Sequence, residues 1–348
     1  MSGSEIRLSI IMPTYNREAY IREALDSVLM QESSYPYEII IADDCSTDDS
    51  LKIAQEYQVR NPNKIKILPS SSNQKLFKNI VRVYADLKSD YFCILDPDDF
   101  WTDKHKIQKA LDFLESHKDF TAYFGNTAYQ YEIDDDAQGE RPDFYFKHDT
   151  PFEGNFEEFL KGKSMFGHTS SVIYRNVFFK NGLPPILANA KGTQEISFRA
   201  DSFRNFAHLS KGKSYYSGER DSVYRIVSSG IWTSLDLYER TFIGSIFYKD
   251  MWFYFDKQYL EMLVFSQREY RKYSPLKYLQ KLRERESSPL LIERIQQCEE
   301  LEKLYEENLS SINAKIYQKA KLKYKIFLWI YDKLRKKLSK KGLIVWGL

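Results

Sequence analysis

Tyr37-Glu38-Ile39-Ile40-Ile41-Ala42-Asp43-Asp44 and Tyr91-Phe92-Cys93-Ile94-Leu95-Asp96-Pro97-Asp98-Asp99 decide how this chain is read. Each is a short, nearly continuous apolar run that ends in carboxylates. Such runs are expected of strands buried on both faces of a parallel sheet. Acids where these strands end lie on the carboxyl edge of the sheet, where open α/β folds bind ligands. Asp96, Asp98 and Asp99 repel one another unless a cation or hydrogen-bond donors offset their charge. The pattern points to a divalent metal and a phosphorylated ligand.

Outward from these runs, strand and helix alternate. Leu8-Ser9-Ile10-Ile11-Met12 and Ile65-Lys66-Ile67-Leu68 are the other strands of this half, and helical spacing covers 17–30, 47–60 and 74–87. Ser46-Thr47-Asp48-Asp49 gives the second helix a capping-box-like start. Alternation of this length predicts right-handed crossovers and a mostly parallel sheet flanked by helices. A helix at 104–117 and a strand at 120–129 follow. Residues 134–151 are acidic and then Gly, Pro and Asp-rich, and read as a loop or lid. Beyond it we expect a helix near 156–160, a strand at 170–174, a helix at 196–209 and a strand at 214–216. After Ile231 the pattern is helical, with heptad-like charges over 290–309. The division expected is 1–232 as an α/β domain and 233–348 as a C-terminal helical extension.

With 348 residues the chain has ample core for one large domain or two modest ones. The net charge of +2 averages an uneven distribution, because residues 315–341 hold eleven Lys or Arg against one acid, Asp332. Tyr324, Phe327, Leu328, Trp329, Ile330 and Tyr331 cluster inside that basic stretch. This combination suits an interfacial helix on an anionic membrane, with packing or homodimerisation through the C-terminal helices as the alternative. No apolar run approaches the roughly 18 residues of a membrane span, and Ser4-Glu5-Ile6-Arg7 leads into a strand rather than a signal peptide. Cys45, Cys93 and Cys298 lack metal-ligand spacing and fit a reduced, cytoplasmic setting. Nothing resembles a nucleic-acid reading module.

Taken singly, Pro13-Thr14-Tyr15-Asn16-Arg17 after the first strand is explained by a strand-to-helix turn, and Asp43-Asp44-Cys45-Ser46 by a cap. Together they set polar groups on adjacent strand ends, which suits a nucleotide. Asp96-Pro97-Asp98-Asp99 exceeds what a turn needs, and Mg²⁺ or Mn²⁺ typically joins one or two carboxylates to substrate phosphates.

These three motifs, in this order and extended through Phe100-Trp101, resemble family 2 glycosyltransferases of the GT-A fold, a Rossmann-like architecture. A looser match runs through Arg199-Ala200-Asp201 and Tyr224-Arg225 to Trp232. The resemblance implies that Pro13, Thr14, Tyr15, Asn16, Arg17 and Asp43 hold a nucleotide-diphospho-sugar, with Asp43 near the base. It puts Asp96 near the ribose and beside the metal, and Asp98 on the metal. Asn73, Lys78 and Asn79 fall in the stretch that helps hold the nucleotide. Asp201 takes the place of the family's general base, with Glu195 the nearest substitute; on residues alone, a surface ion pair with Arg204 would explain it. Many relatives carry a His where this chain has Val227, and His168 is a candidate replacement.

The expected activity is metal-dependent, inverting transfer from a nucleotide-diphospho-sugar, a UDP-sugar foremost. The expected acceptor is a saccharide or lipid-linked saccharide of cell-surface polysaccharide synthesis, met at the inner face of the cell membrane. The alternatives are a sugar-nucleotide nucleotidyltransferase, for which a Gly-rich loop after the first strand is missing, and a catalytically silent membrane-associated scaffold.

Overall fold

Leu8–Thr14 forms β1 and Tyr37–Asp43 forms β2, each buried at every residue. They pair in parallel, Leu8 opposite Tyr37 through Thr14 opposite Asp43. Tyr91–Ile94 (β4) runs parallel on the other side of β1, and Ile65–Pro69 (β3) lies parallel to β2. Helices α1 (Ile21–Leu29), α2 (Ser50–Arg60) and α3 (Lys75–Tyr84) are the crossovers. Ile21, Ala24, Leu25 and Val28 recur at helical spacing, so α1 presents one apolar face to Leu8, Ile10 and Met12 in a shared core. Each such Val, Leu, Ile or Met side chain contributes about 1.5–3 kcal/mol by leaving water. The computed structural model describes residues 5–132, 142–161, 163, 166–198, 201–227, 235–273 and 289–319.

Beyond β4 the sheet is mixed. Phe100–Trp101 (β5), Phe120–Glu132 (β6), Phe152–Gly154 (β7), Ile173–Arg175 (β8) and Lys213–Val227 (β9) complete the order β3-β2-β1-β4-β8-β6-β9-β5, with β7 on β9. β8 is antiparallel to both β4 and β6, whereas β6 and β9 are parallel. Helix α4 (Lys106–Ser116) precedes β6, and α5 (Phe156–Leu160) and α6 (Pro185–Ala188) follow β7 and β8.

Several elements depart from the sequence pattern. The second helix begins at Ser50, because Asp48 accepts hydrogen bonds from the amides of Ser50 (2.9 Å) and Glu18 (3.1 Å) and holds 46–49 as a turn. The strand expected at 170–174 is a 3₁₀ turn, Thr169–Ser171, followed by β8. The helix expected at 196–209 is two helices, α7 (Thr193–Ser197) and α8 (Asp201–Leu209). The short strand at 214–216 is the start of β9, whose apolar alternation is hidden by Glu219, Arg220 and Asp221 in its middle. Those charges pair with Lys109, Asp149 and Lys106. Within the supposed lid, 142–149 is fastened to β6: Tyr145 N–H donates to Thr127 O and Asn126 binds Phe146. The start of that stretch, 134–141, lies outside the described residues.

The chain divides into two compact units, Met1–Ala190 with Phe198–Gly230, and Lys191–Ser197 with Ile231–Leu348. The second unit contains α7, α9 (Leu237–Tyr254), α10 (Leu260–Arg271), α11 (Pro289–Glu307) and α12 (Leu309–Lys319). Asp236 and Glu239 form a full capping box at the start of α9. Ser266 donates to Ser245 O and meets the Tyr305 hydroxyl, both at 2.7 Å, in its buried centre. Most of the basic, aromatic segment 315–348 lies outside the described residues.

His208 of α8 is fully buried among the rings of Phe92, Tyr174 and Phe178, and its Nδ1 lies 2.6 Å from Arg204 O. Burial pushes its pKa down from 6.5 to about 4. Between those values the unfolded chain binds a proton here that the native chain does not. The stabilisation is therefore complete above the unfolded pKa and is lost as pH falls toward 4, with a limiting slope of about 1.4 kcal/mol per pH unit. Urea-unfolding free energies of His208→Leu should fall less steeply across that window than those of the wild type. Equal slopes would exclude His208 as the source.

Candidate active site

The ends of β1, β2 and β4 form one edge. At the β1 end Pro13 and Thr14 are buried and Tyr15 is 41% exposed. Asn16 takes a left-handed φ of 50°, which Asn tolerates better than most residues. Its amide N–H donates to Ser46 Oγ (3.1 Å), and its Oδ1 accepts from the Thr47 amide (2.8 Å). The Arg17 amide donates to Ser50 Oγ at 2.7 Å. The turn after β1 is thereby laced to the turn after β2.

Asp43, at the end of β2, is wholly buried. Its Oδ2 accepts from the Ser46 amide at 3.1 Å, while Oδ1 has no partner among the described residues. Asp44 is buried too, and its Oδ1 accepts from the Gln74 amide at 2.7 Å, which ties the segment before α3 to this edge. In that segment Asn73 Oδ1 accepts from the Lys75 amide, and Lys78 is exposed on α3. Asn79, expected in the nucleotide-holding stretch, lies on α3. It is buried, donating to Ala42 O (2.7 Å) and accepting from Arg82 Nε (2.9 Å), so it braces the strand behind Asp43. Arg82 also donates to the carbonyls of Asp43, Leu68 and Pro69, clamping β2 to β3.

At the end of β4 the acids share a tight turn, in which the Asp99 amide donates to Asp96 O at 2.9 Å. The Asp96 amide donates to Ser170 Oγ (3.3 Å), and Asp98 Oδ2 pairs with Arg17 Nε (3.2 Å). Asp99 is almost fully buried, accepting from the Ser170 hydroxyl and from the Arg225 amide (3.0 Å). Burial, and then the charges of Asp96 and Asp98, hold its pKa well above the carboxylate range. Protein donors thus offset part of the repulsion evident in the sequence.

Arg225, on β9, closes this turn from the far side. Its Nη1 donates to Asp98 O (2.8 Å), Nη2 to Glu23 (2.6 Å), and Nε lies 2.7 Å from Glu132 Oε1. The guanidinium sits over the rings of Tyr20 and Phe100, at 4.9 and 5.2 Å. Sequence reasoning noted Arg225 within a motif but gave it no role. The 3₁₀ turn carrying Ser170 is held by Trp101 Nε1 on Ser170 O (2.7 Å) and by buried Lys106 on Ser171 O (2.9 Å). Lys106 also pairs with Asp221 at 2.6 Å. A Cβ at Gly125 would lie 2.3 Å from the Asp221 carboxylate, so only glycine fits there.

His168 stacks on Tyr224 (4.0 Å, 20°), accepts from the Ser170 amide (3.4 Å) and lies 3.5 Å from Asp99. Burial pushes its pKa down to about 3, so it is neutral and this contact is not an ion pair. Tyr224 is pushed up to about 12 by burial and by the three acids. Val227 is buried at the end of β9. Asp201 is the first residue of α8, with its side chain outside the described atoms; Glu195 lies in α7. Arg204, invoked for a surface pair with Asp201, is buried beside Tyr84. Among the described residues no three His, Cys, Asp or Glu gather to hold a metal. Asp96 and Asp98 nevertheless fit a hard cation that takes its remaining ligands from phosphate and water.

The sequence pattern of Glycosyl transferase family 2 matches residues 9–182, half of the chain. The chain belongs to this family. An uncharacterized protein of Mycobacterium tuberculosis is 31% identical over 227 residues, 65% of this chain and 61% of that one, so the match spans less than two thirds of the relative. The dTDP-rhamnosyl transferase RfbG of Shigella flexneri is 41% identical over 107 residues, 30% of this chain and 36% of its own. The crystal structure of Staphylococcus aureus TarS 1–349 in complex with UDP-GlcNAc superposes with a TM-score of 0.59 at 17% identity, covering 97% of this chain and 92% of that one. The likeness is one of fold, the GT-A architecture.

Arg225→Met removes the guanidinium from two carboxylates and the Asp98 carbonyl. It should cost about 2–3 kcal/mol, given that Glu23 is half exposed. Arg225→Lys should recover little, because a single ammonium nitrogen cannot stand in the three places that Nε, Nη1 and Nη2 occupy. Urea unfolding with unchanged m-value is the measurement, and a loss under about 0.5 kcal/mol would deny the staple.

Proposed function

We propose that the chain transfers a sugar from a nucleotide-diphospho-sugar to an acceptor hydroxyl with inversion at the anomeric carbon. Asp43 carries the reading. A buried carboxylate oxygen without a partner among the described residues is costly unless a ligand donor reaches it, and a nucleobase ring N–H is such a donor. Tyr15 follows Thr14, which pairs with Asp43, and its half-exposed ring offers the base a face. Pro13, Thr14 and Asn16 shape that edge, Asn73 and Lys78 flank it, and Arg17 faces the diphosphate.

Asp98, with Asp96 beside it, would hold Mg²⁺ or Mn²⁺, which would supply positive charge against the negative charge developing on the leaving diphosphate. Asp201, at the start of α8, takes the proton of the acceptor hydroxyl as its oxygen attacks in line. No covalent intermediate is needed.

The TarS structure contains UDP-GlcNAc and RfbG is named a dTDP-rhamnosyl transferase, so a UDP-sugar is the first donor to test and a dTDP-sugar the second. The acceptor in this proposal is a saccharide or lipid-linked saccharide of cell-surface polysaccharide synthesis. Residues 1–232 would perform the transfer on the cytoplasmic side. Within the extension 233–348, the basic segment 315–348 would rest on the anionic inner face of the membrane. Among the described residues no helix is long and apolar enough to cross a membrane.

A panel of UDP-, dTDP- and GDP-sugars identifies the donor by binding and turnover. Turnover should vanish in excess EDTA and in Asp98→Asn. Asp201→Asn should keep donor binding and lose about 10²–10⁴-fold in transfer. Retained anomeric configuration, or near-normal transfer by Asp201→Asn, would end the inverting mechanism. Full-length protein should sediment with phosphatidylglycerol vesicles at low salt and come off as screening rises. Indifference to those vesicles would leave the extension a packing or dimerisation element.

A further inference from the structure

We propose that Arg17 occupies Asp98 in the ligand-free protein, and that a divalent cation reaches Asp98 only as a nucleotide diphosphate draws Arg17 away. The inference rests on the nucleotide-sugar reading above and adds a rule of assembly to it: cation and nucleotide bind as a coupled pair.

Arg17 Nε lies 3.2 Å from Asp98 Oδ2, with the two side chains only 19% and 16% exposed. This pair is therefore less screened than a surface ion pair. Among the described residues Arg17 is the one cation paired with the Asp98 carboxylate. Arg225 cannot replace it, because its guanidinium nitrogens face Asp98 O, Glu23 and Glu132. A guanidinium and a divalent cation on the same carboxylate repel each other strongly at this range. Free cation therefore competes with Arg17 for the site.

Arg17 is also placed to leave. Its backbone is anchored by Ser50 Oγ, and its Nη1 donates only to carbonyls of its own turn, Asn16 O at 3.0 Å and Tyr15 O at 3.5 Å. Nη2 has no partner among the described residues. From this point between the ends of β1 and β4 the guanidinium can turn to a diphosphate, which it binds as a fork, without moving the chain. Asp98 then faces the cation unopposed. By linkage, whatever the nucleotide does for cation affinity, the cation does for nucleotide affinity.

The test is Mn²⁺ binding to the full chain, followed by the electron paramagnetic resonance of free Mn²⁺, with and without UDP. Wild-type protein should bind Mn²⁺ weakly alone and tightly with UDP. Arg17→Gln should bind Mn²⁺ alone more tightly, on the order of tenfold. Unchanged or weaker binding by a folded Arg17→Gln overturns the inference and leaves the nucleotide reading standing. If wild-type protein binds neither UDP nor Mn²⁺ with UDP, both readings fall together. A second measurement does not depend on Arg17→Gln folding alone. In EDTA, Asp98→Asn should bind UDP more tightly than wild type because Arg17 is released. Adding Arg17→Lys to Asp98→Asn should abolish much of that gain, since Lys lacks the fork; an undiminished gain would trace to lost repulsion and overturn the exchange.

Discussion

Three carboxylates compressed into the turn after β4 set the terms for the rest of this molecule. Carboxylates this close cannot all remain charged and buried without compensation. Asp99 is the most buried, and its oxygens meet the Ser170 hydroxyl and the Arg225 amide. Both donors come from far along the chain, one from the turn before β8 and the other from β9. The acid turn is therefore formed only when the mixed half of the sheet has closed against the parallel half. This gives the buried Lys106–Asp221 pair a structural reason: it locks α4 to β9 and to the Ser170 turn, so the donors arrive in register.

The other side of the edge is built by local strain rather than long-range charge. Asn16 and Cys45 both take positive φ, one in each of the turns after β1 and β2. Such conformations persist when the surroundings over-determine them. Here Asn16 bonds Ser46 and Thr47, Arg17 bonds Ser50, and Glu18 accepts from the Asp49 amide. Two adjacent turns each hold the other in a shape that neither would keep alone. Tyr15 is left projecting and Asp43 is left with an unfilled acceptor.

The parallel half of the fold was legible because every residue of β1 and β2 is buried, and two-sided burial writes itself as an apolar run. β9 was not legible beyond its first residues. Its middle carries Glu219-Arg220-Asp221, whose partners lie about 70–115 residues away and leave no local trace. The acids of the site were visible at the strand ends, yet their structural partners were not. Asn79 came in with the resemblance, and nothing in its sequence neighbours announces that it braces β2 from behind. Arg82 drew no reading from the sequence and Arg225 only a place in a motif, because nothing local announces that each is clamped by carbonyls or carboxylates. Asp201 was chosen by resemblance, since its neighbours in the sequence alone do not distinguish a base from an ion-pair partner.

A common logic joins the two halves of the edge. Arg82 and Arg225 are fixed cations, each held by several oxygens of the protein, and their work is to keep strand ends in place. Arg17 differs in that its one contact with another element is the Asp98 carboxylate, through Nε, while Nη1 meets only the carbonyls of its sequence neighbours Tyr15 and Asn16 and the backbone is anchored independently. A charge with a single exchangeable partner outside its own turn is the one that can be given to a ligand without unfolding anything around it. Asp43 is its counterpart among the acids, with one oxygen held by the Ser46 amide and one open among the described residues. The edge thus separates charges that build it from charges that are not consumed in building it, and the latter, Arg17 and one oxygen of Asp43, lie on neighbouring strand ends.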